Sequence, residues 1–204
     1  MENGDINIFF LDKDPKICAE MHCDKHVVKM IIEYAQLLST AHRVLDGDMF
    51  IGQSKSGRKA TRYRHPDAEM NDNLYLASHL KHPSELWIQK SRKNYIWMYE
   101  LWINLCKEYT YRYEKKHITQ HKLENYINKI PKNIPDDVEW TEPTPAMSHY
   151  PQCIVPNDSL QSYHNYYIAD KIRFAKWKKR EIPEWFQKLA KLNTIEENNA
   201  NVYV

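Results

Sequence analysis

The chain has 204 residues with 42% hydrophobic and 27% charged side chains, the balance expected of one globular domain with a sizeable core. It contains four glycines and neither a G-x-x-x-x-G-K nor a G-x-G-x-x-G motif, which excludes a glycine-rich phosphate loop and argues against a sheet-rich fold. The net charge of +2 says little about partners, and the apolar runs are too short to span a membrane.

The first half of the chain predicts helices joined by one basic loop. Residues 6–11, INIFFL, predict a short strand or an extended arm, and Pro15 suits the first turn of a helix. Apolar residues at helical spacing extend this helix over residues 15–45, with residues 23–24 as the place where it would break. Gly47 ends it, residues 46–66 predict a polar, basic loop, and residues 67–80 predict a shorter helix.

The second half predicts two major helices on either side of a proline-rich segment. His82-Pro83-Ser84 is typical of a helix start, with Ser84 as the N-cap of a long helix over residues 85–116. Asp158 or Ser159 can cap a last major helix over residues 160–179, and Pro183 allows a short helix after it. Six prolines exclude a long helix in between: Pro131, Pro135, Pro143, Pro145, Pro151 and Pro156.

The predicted fold class is therefore all-α. We expect a single compact helical domain, residues 1–192, with a long Pro-rich connecting segment and a polar C-terminal tail, residues 193–204. The acidic start of the chain lacks a signal-peptide layout, so we expect a cytoplasmic protein, in the host cytoplasm if it is viral, with no membrane partner. The sequence leaves the oligomeric state open.

The cysteines do not indicate a metal or redox site. None of the four has C-x-x-C spacing, so we expect small buried residues rather than a zinc knuckle or disulfides: Cys18, Cys23, Cys106 and Cys153. His22 and His26 stand at i,i+4 and could clamp one ion, but the segment lacks the glutamate placement of H-E-x-x-H. We predict no metal and no cofactor.

The best candidate for a chemical site is a polar stripe on the first long helix. At 100° per residue, His22, His26, Lys29, Glu33, Gln36 and Thr40 share one narrow arc. The remaining circumference of the helix is apolar and includes Val28 and Ile32. This apolar arc is wider than the single face that a surface helix usually buries. The stripe is therefore a thin solvent strip with a Lys29–Glu33 contact, or the wall of a cleft in which Glu33 serves acid–base or electrostatic catalysis.

Polar residues also interrupt the apolar face of the second long helix. Ser91, Asn94 and Arg112 lie there, and buried polar groups need partners. They satisfy one another and loop carbonyls, or they line the same cleft as Glu33 as substrate-binding groups together with His22.

Two basic segments favour a polyanionic partner, and we predict DNA. Residues 53–64 hold five basic residues and no acid, and residues 170–180 hold six against one acid. The residues predicted to contact DNA are Arg58, Lys59, Arg62, Arg64 and Lys176.

From Asp24-Lys25-His26 onward the sequence resembles the phage pyrimidine-dimer DNA glycosylases, small all-helical DNA-repair enzymes. They carry an Asp-x-His at the start of the first helix and a catalytic glutamate seven residues after the histidine, as Glu33 follows His26 here. An Ile6-Asn7 start, a helix opening at His82 and a tyrosine-rich SYHNYY at residues 162–167 follow in the same order. The segments HCDKHVVKM and LCKEYTYRY also resemble uncharacterised phage and viral proteins.

The resemblance implies a hydrolase that flips a nucleotide out of the duplex and cleaves its N-glycosidic bond. Glu33 would be the key carboxylate, with His26 and Lys29 holding the phosphate beside it. The family's nucleophile is the N-terminal amine, but here five residues precede Ile6. A lysine such as Lys29 therefore replaces that amine, or the enzyme activates water without lyase chemistry, or the protein no longer cuts DNA. Alternatives are a viral pocket protein that binds a nucleotide or nucleotide-derived signal without catalysis, and a nucleic-acid-binding accessory protein.

Overall fold

The structure is a computed structural model that describes residues 6–54 and 56–201, with side chains as far as residue 194. The chain is mostly helical but not purely all-α, because a two-stranded antiparallel sheet follows the second helix. Lys55 in the first basic segment, the amine of Met1 and the last three residues of the predicted tail lie outside the described residues.

The predicted first helix is two helices, and they separate next to the expected break. Helix α1, Pro15–Met21, begins at Asp14, whose carboxylate accepts the backbone N–H groups of Lys16 and Ile17. It ends because His22 and Cys23 adopt extended backbone angles, and α2, Asp24–Asp46, starts immediately afterwards. His22 therefore lies in the joint between the helices and is not part of the stripe on α2.

The predicted basic loop is largely a β-hairpin. Strand β1, Asp48–Gln53, pairs antiparallel with β2, Lys59–Arg64. Gly47 connects α2 to the hairpin at a point that has no room for a side chain. A Cβ there would lie 2.5 Å from the Arg43 carbonyl oxygen and 2.9 Å from the Arg64 carbonyl oxygen. Local composition did not reveal the strands because pairing between the two segments, rather than either segment alone, stabilises them.

The middle of the chain forms short helices around one long helix. Helix α3, Ala68–Asn73, is capped by Asp67, and α4, Pro83–Gln89, is capped by the His82 side chain rather than by Ser84. Helix α5, Arg92–Tyr113, starts anew because Ser91 is extended and its hydroxyl accepts the Asn94 N–H. The predicted single helix over residues 85–116 is therefore interrupted at Ser91, where a side-chain cap replaces a helical hydrogen bond.

The last part of the chain departs further from expectation. Helix α6, Ile118–Ile127, was not predicted, and among the described residues the proline-rich segment after it holds a short 3-10 turn, Pro151–Cys153, and no long helix. Helix α7, Ser159–Tyr166, starts at the predicted cap Asp158 and continues as one π-helical turn, Tyr167–Lys171, instead of reaching residue 179. Helix α8, Glu184–Asn201, occupies most of the predicted tail.

Helix α2 lies at the centre of the fold, in contact with α4, α5, α6 and the hairpin, while α1 packs on α5. Residues 6–11 belong to neither a helix nor a strand, and their side chains are buried in the core. Contrary to the predicted apolar arc, Val28 and Ile32 are exposed, so α2 leaves one apolar edge uncovered. All four cysteines are buried and free, as expected. Within the described part of the chain, none of the helices combines the length and the apolar character needed to cross a bilayer.

Candidate functional site

The polar stripe of α2 passes from solvent into the protein interior. Lys29 is exposed, Glu33 and Gln36 are half-buried, and Thr40 and Arg43 are buried. The segment after α3 covers the stripe: Gln36 donates to the carbonyl of Leu76, and the Thr40 hydroxyl accepts the N–H of Ser78. The stripe is therefore neither a plain solvent strip nor an open wall, because a second piece of chain lies across its C-terminal half.

Glu33 occupies the boundary between the exposed and covered parts of the stripe. Its Oε1 lies 2.9 Å from the Nζ of Lys29, and 17% of its side chain is exposed. Its Oε2 is enclosed and has no hydrogen-bond partner within the described residues. Burial raises the pKa of this carboxyl, opposed by the hydrogen bond from Lys29 and by the charges of His79 and Lys171.

His26 lies two turns before Glu33 on α2 and is enclosed by aromatic rings. Its ring stacks on Phe9 with the centroids 4.1 Å apart, and its Nδ1 is hydrogen-bonded to the Tyr167 hydroxyl at 2.6 Å. Burial lowers the pKa of His26 well below its ordinary value, with Lys171 and Lys29 acting in the same direction. The imidazole is therefore neutral near pH 7 and does not supply the positive charge that holding a phosphate requires.

Lys171 is a second cation whose charge acts on Glu33, and the sequence did not indicate this. It lies in the π-helical turn, pairs with Asp170, and its Nζ is 4.6 Å from the centre of the Tyr166 ring. It lowers the pKa of both Glu33 and His26, so its charge reaches both groups. The sequence placed Lys171 only in a basic segment, because its approach to α2 depends on how α7 packs.

His22 is wholly buried, and both of its ring nitrogens are engaged. Nδ1 donates to the carbonyl of Cys18 at 2.7 Å, and Nε2 accepts from the hydroxyl of Tyr34 at 2.8 Å. Burial lowers the pKa of His22 to about 4. A metal shared by His22 and His26, or a substrate contact at His22, would have to break these hydrogen bonds.

Arg112 is also wholly buried and serves internal contacts. Its guanidinium pairs with Glu108 and Asp24 and donates to the backbone carbonyls of His22 and Glu20. Arg112 therefore satisfies other protein groups, the first of the two alternatives for the polar residues of α5, and does not line a cleft as a substrate-binding group.

Ser91 and Asn94 lie at the other end of α5. Ser91 caps the helix, while the Asn94 side chain donates to the carbonyl of Trp87 and accepts the N–H of Thr141. At 1.5 Å per helical residue, Asn94 and Arg112 are separated by about 27 Å along the axis. The structure therefore does not bring Ser91 and Asn94 into one cleft with Arg112.

The predicted DNA-contacting residues divide between two surfaces. On the hairpin, Arg58, Lys59 and Arg64 are exposed, and Arg62 is half-buried with its guanidinium on the carbonyl of Gln53. Lys176 is exposed after the π-helical turn, where its carbonyl accepts the N–H of Asp24 at the start of α2. The two basic surfaces therefore adjoin opposite ends of α2.

The hairpin and the Glu33 site are linked through the covering segment. Leu76, whose carbonyl binds Gln36, lines a cavity of about 230 Å³ together with Phe50, Arg62 and Arg64 of the hairpin. Gln36 is three residues after Glu33, so the carboxyl and the base of the hairpin share one side of α2.

Comparisons of this chain with protein-family models, curated proteins and solved structures find no match. The likeness to the phage glycosylases rests on the short sequence motifs around Asp24, His26 and Glu33. Their environments differ: Asp24 and His26 are engaged in internal contacts, whereas Glu33 has an enclosed oxygen without a partner in the described chain.

Proposed function

We propose that this protein is a DNA-binding hydrolase that cleaves the N-glycosidic bond of a flipped-out nucleotide, with Glu33 as the catalytic carboxylate. The observation that carries the proposal is the enclosed Oε2 of Glu33, which lacks a partner among the described residues while Oε1 is held by Lys29. An unsatisfied buried oxygen is costly, and such groups are retained where a ligand supplies the missing hydrogen bond.

Burial raises the pKa of Glu33, which makes its carboxylate a stronger base than an exposed glutamate. In the proposed reaction, a water oxygen bonds to C1′ of the sugar while the bond from C1′ to the base breaks and the base leaves with the bonding electrons. Glu33 accepts the proton of the attacking water, and the departing base takes a proton from solvent. Lys29 and Lys171 provide the positive charge for the flanking phosphates, a role that neutral His26 does not fill.

The hairpin supports DNA as the substrate. A two-stranded β-ribbon is narrow enough to enter the major groove, and this one carries Arg58, Lys59 and Arg64 on its exposed surface. Met49 and Ile51 are each 64% exposed on β1 and share a face of the ribbon with Lys59, whereas Arg64 lies on the opposite face over the ring of Phe50. Exposed apolar side chains beside a cation are suited to contact with sugars and bases as well as phosphates.

The decisive experiment is base excision in single turnover on duplexes carrying damaged, modified or normal bases. Glu33→Gln is expected to lose about a hundredfold or more in rate, the scale of a positioned acid–base group, while duplex affinity stays unchanged. Glu100→Gln is the matched control, since Glu100 is an exposed carboxylate on α5. An active Glu33→Gln protein contradicts the assignment, and absence of excision on every duplex favours the pocket-protein or accessory-protein alternative.

A second arm tests for a lyase step. The Lys29 side chain is 60% exposed and its amine lies 2.9 Å from Glu33 Oε1, so the amine can add to the C1′ aldehyde of the abasic sugar and form a Schiff base as water leaves. Borohydride trapping is expected to crosslink DNA at Lys29, and Lys29→Arg is expected to abolish the crosslink while base excision persists. A crosslink that maps elsewhere removes Lys29 from this role.

A further inference from the structure

A cluster of two histidines and a carboxylate lies at the base of the hairpin, apart from Glu33. His42 and Asp46 are one turn apart near the end of α2, and His65 directly follows β2. One ligand atom from each lies within 4.8 Å of the others, and His65 Nε2 is 3.9 Å from an Asp46 carboxylate oxygen. His42 and His65 are at most 6% exposed, and all three residues line a cavity of about 420 Å³.

Both histidines present a ring nitrogen that lacks a partner in the described ranges: Nδ1 of His42 and Nε2 of His65. Buried polar atoms are normally hydrogen-bonded, so two orphan nitrogens in one cavity point to a missing ligand. Imidazole nitrogens together with a carboxylate are the donor set of first-row divalent transition metals.

The surrounding contacts orient two of the three ligands. His42 Nε2 donates to the carbonyl of Lys129 at 3.1 Å and also contacts the Tyr95 hydroxyl, which leaves the lone pair of Nδ1 available. The Asp46 carboxylate accepts the backbone N–H groups of Lys132 and Asn133, each at 2.9 Å. Hydrogen bonds of this type fix the tautomer and direction of metal ligands.

His65 requires one change. Its Nδ1 accepts the Asp67 N–H at 3.1 Å, which places the ring proton on Nε2 in the neutral imidazole. An ion that binds Nε2 takes the lone pair of that nitrogen, so the ring proton moves to Nδ1, which can then no longer accept the Asp67 N–H. With bonds of about 2.1 Å the ligand atoms also have to close to within about 4.2 Å of one another. These costs favour a metal that binds imidazole strongly over Mg²⁺.

We propose that His42, Asp46 and His65 bind one divalent transition-metal ion of the Zn²⁺ class, with water completing the coordination from the cavity. The ion would join the end of α2 to the end of β2, and Asp46 would extend the connection to the chain at Lys132 and Asn133. It would therefore fix the base of the basic hairpin. The proposal is independent of the reaction at Glu33.

The test titrates chelator-treated protein with Zn²⁺, using calorimetry for binding and thermal unfolding for stability. We expect one ion per chain and a rise in Tm that increases with Zn²⁺ concentration, as for any ligand that binds the folded state. His65→Asn removes the metal ligand but retains an oxygen able to cap Asp67 N–H, and it is expected to weaken binding by at least about tenfold. His121→Asn is the matched control, since His121 is exposed on α6 and should leave binding unchanged.

Asp46→Asn provides a second variant in case His65→Asn does not fold, as judged by circular dichroism. It keeps an acceptor for Lys132 or Asn133 but removes the charge, so it should also lose affinity. The proposal is overturned if folded wild-type protein shows no Zn²⁺-dependent rise in Tm, or if the folded variants bind Zn²⁺ as tightly as His121→Asn.

Discussion

Arg112 Nη1 lies 2.9 Å from Asp24 Oδ1, and this pair joins the C-terminal end of α5 to the first residue of α2. The same carboxylate accepts the backbone N–H of Lys178, and the same guanidinium donates to the carbonyls of His22 and Glu20. Asp24, the aspartate of the Asp-x-His motif, thus holds the joint between α1 and α2 in place. Its position in the sequence is explained by this structural role.

Replacing Arg112 with alanine is expected to lower the free energy of unfolding by about 3–5 kcal/mol, because it leaves buried charge and carbonyl groups without their donor. Glu108 is 3% exposed and pairs with Arg112 and Arg180, so the substitution would leave it paired with Arg180 alone among the described residues. Chemical denaturation measures the change. Arg92→Ala is the control: its exposed pair with Asp136 should contribute less than about 1 kcal/mol. Equal effects of the two substitutions would contradict the structural role of Arg112.

Acid should destabilise the protein through His22. Its folded pKa of about 4 lies below the ordinary 6.5, so the unfolded chain takes up the proton first. The stability that neutral His22 contributes is present above pH 6.5 and is lost as the pH falls toward 4. The free energy of unfolding is expected to fall by about 2 kcal/mol between pH 7 and pH 5 from this residue alone.

Denaturation of His22→Gln and His121→Gln at both pH values separates this effect from general acid sensitivity. His22→Gln should show a smaller drop between the two pH values, although it is less stable overall, while His121→Gln should keep the wild-type drop because His121 is exposed. An identical drop in all three proteins would exclude His22 as the cause.

Glu85 should give the opposite dependence on pH. It is fully buried on α4, its Oε1 accepts from Gln89, and its Oε2 has no partner in the described part of the chain. Burial raises its pKa well above the ordinary value, so the folded protein keeps the proton after the unfolded chain has lost it. The stability from Glu85 is full below pH 4.5 and falls as the pH rises toward the folded pKa, by up to about 1.4 kcal/mol per pH unit.

Glu85→Gln is therefore expected to be more stable than the wild type at pH 7, because glutamine is neutral at every pH and has nearly the same shape. Thermal unfolding at pH 5 and pH 7 measures the difference in Tm, which should be larger at pH 7. A Glu85→Gln protein that is less stable than the wild type at pH 7 would show that the carboxyl has a charged partner.

The hairpin is expected to contact DNA phosphates. Arg58→Ala combined with Lys59→Ala should weaken duplex binding irrespective of sequence and lower the slope of log affinity against log salt by about one unit per lost contact. The combination Arg92→Ala with Lys93→Ala removes two neighbouring cations that are already paired with Asp136 and Glu139, so it should leave the slope unchanged. If the hairpin variant keeps the wild-type slope, the hairpin does not bind DNA.

Local signals in the sequence located several helix starts well. Pro15 lies in the first turn of α1 and Asp158 caps α7, both as predicted, because each signal acts within a few residues of the helix start. The helix α2 was also predicted from nearby residues, because its apolar side chains recur three and four residues apart. Helix α6 was not predicted because no Ser, Thr, Asp or Asn marks its start. Its cap is instead the side chain of His117, which accepts the N–H of Thr119.

The sequence by itself determined which residue types lie along α2, including the stripe of Lys29, Glu33 and Gln36, since helical periodicity depends on residues three and four apart. Only the tertiary structure decided what covers that stripe and which cations reach it. Leu76 and Lys171 come from segments distant in the chain, and His65 meets His42 because β2 returns to the end of α2. Burial, and with it the pKa of Glu33 and the enclosure of its free oxygen, depends on these long-range contacts, which no local pattern encodes.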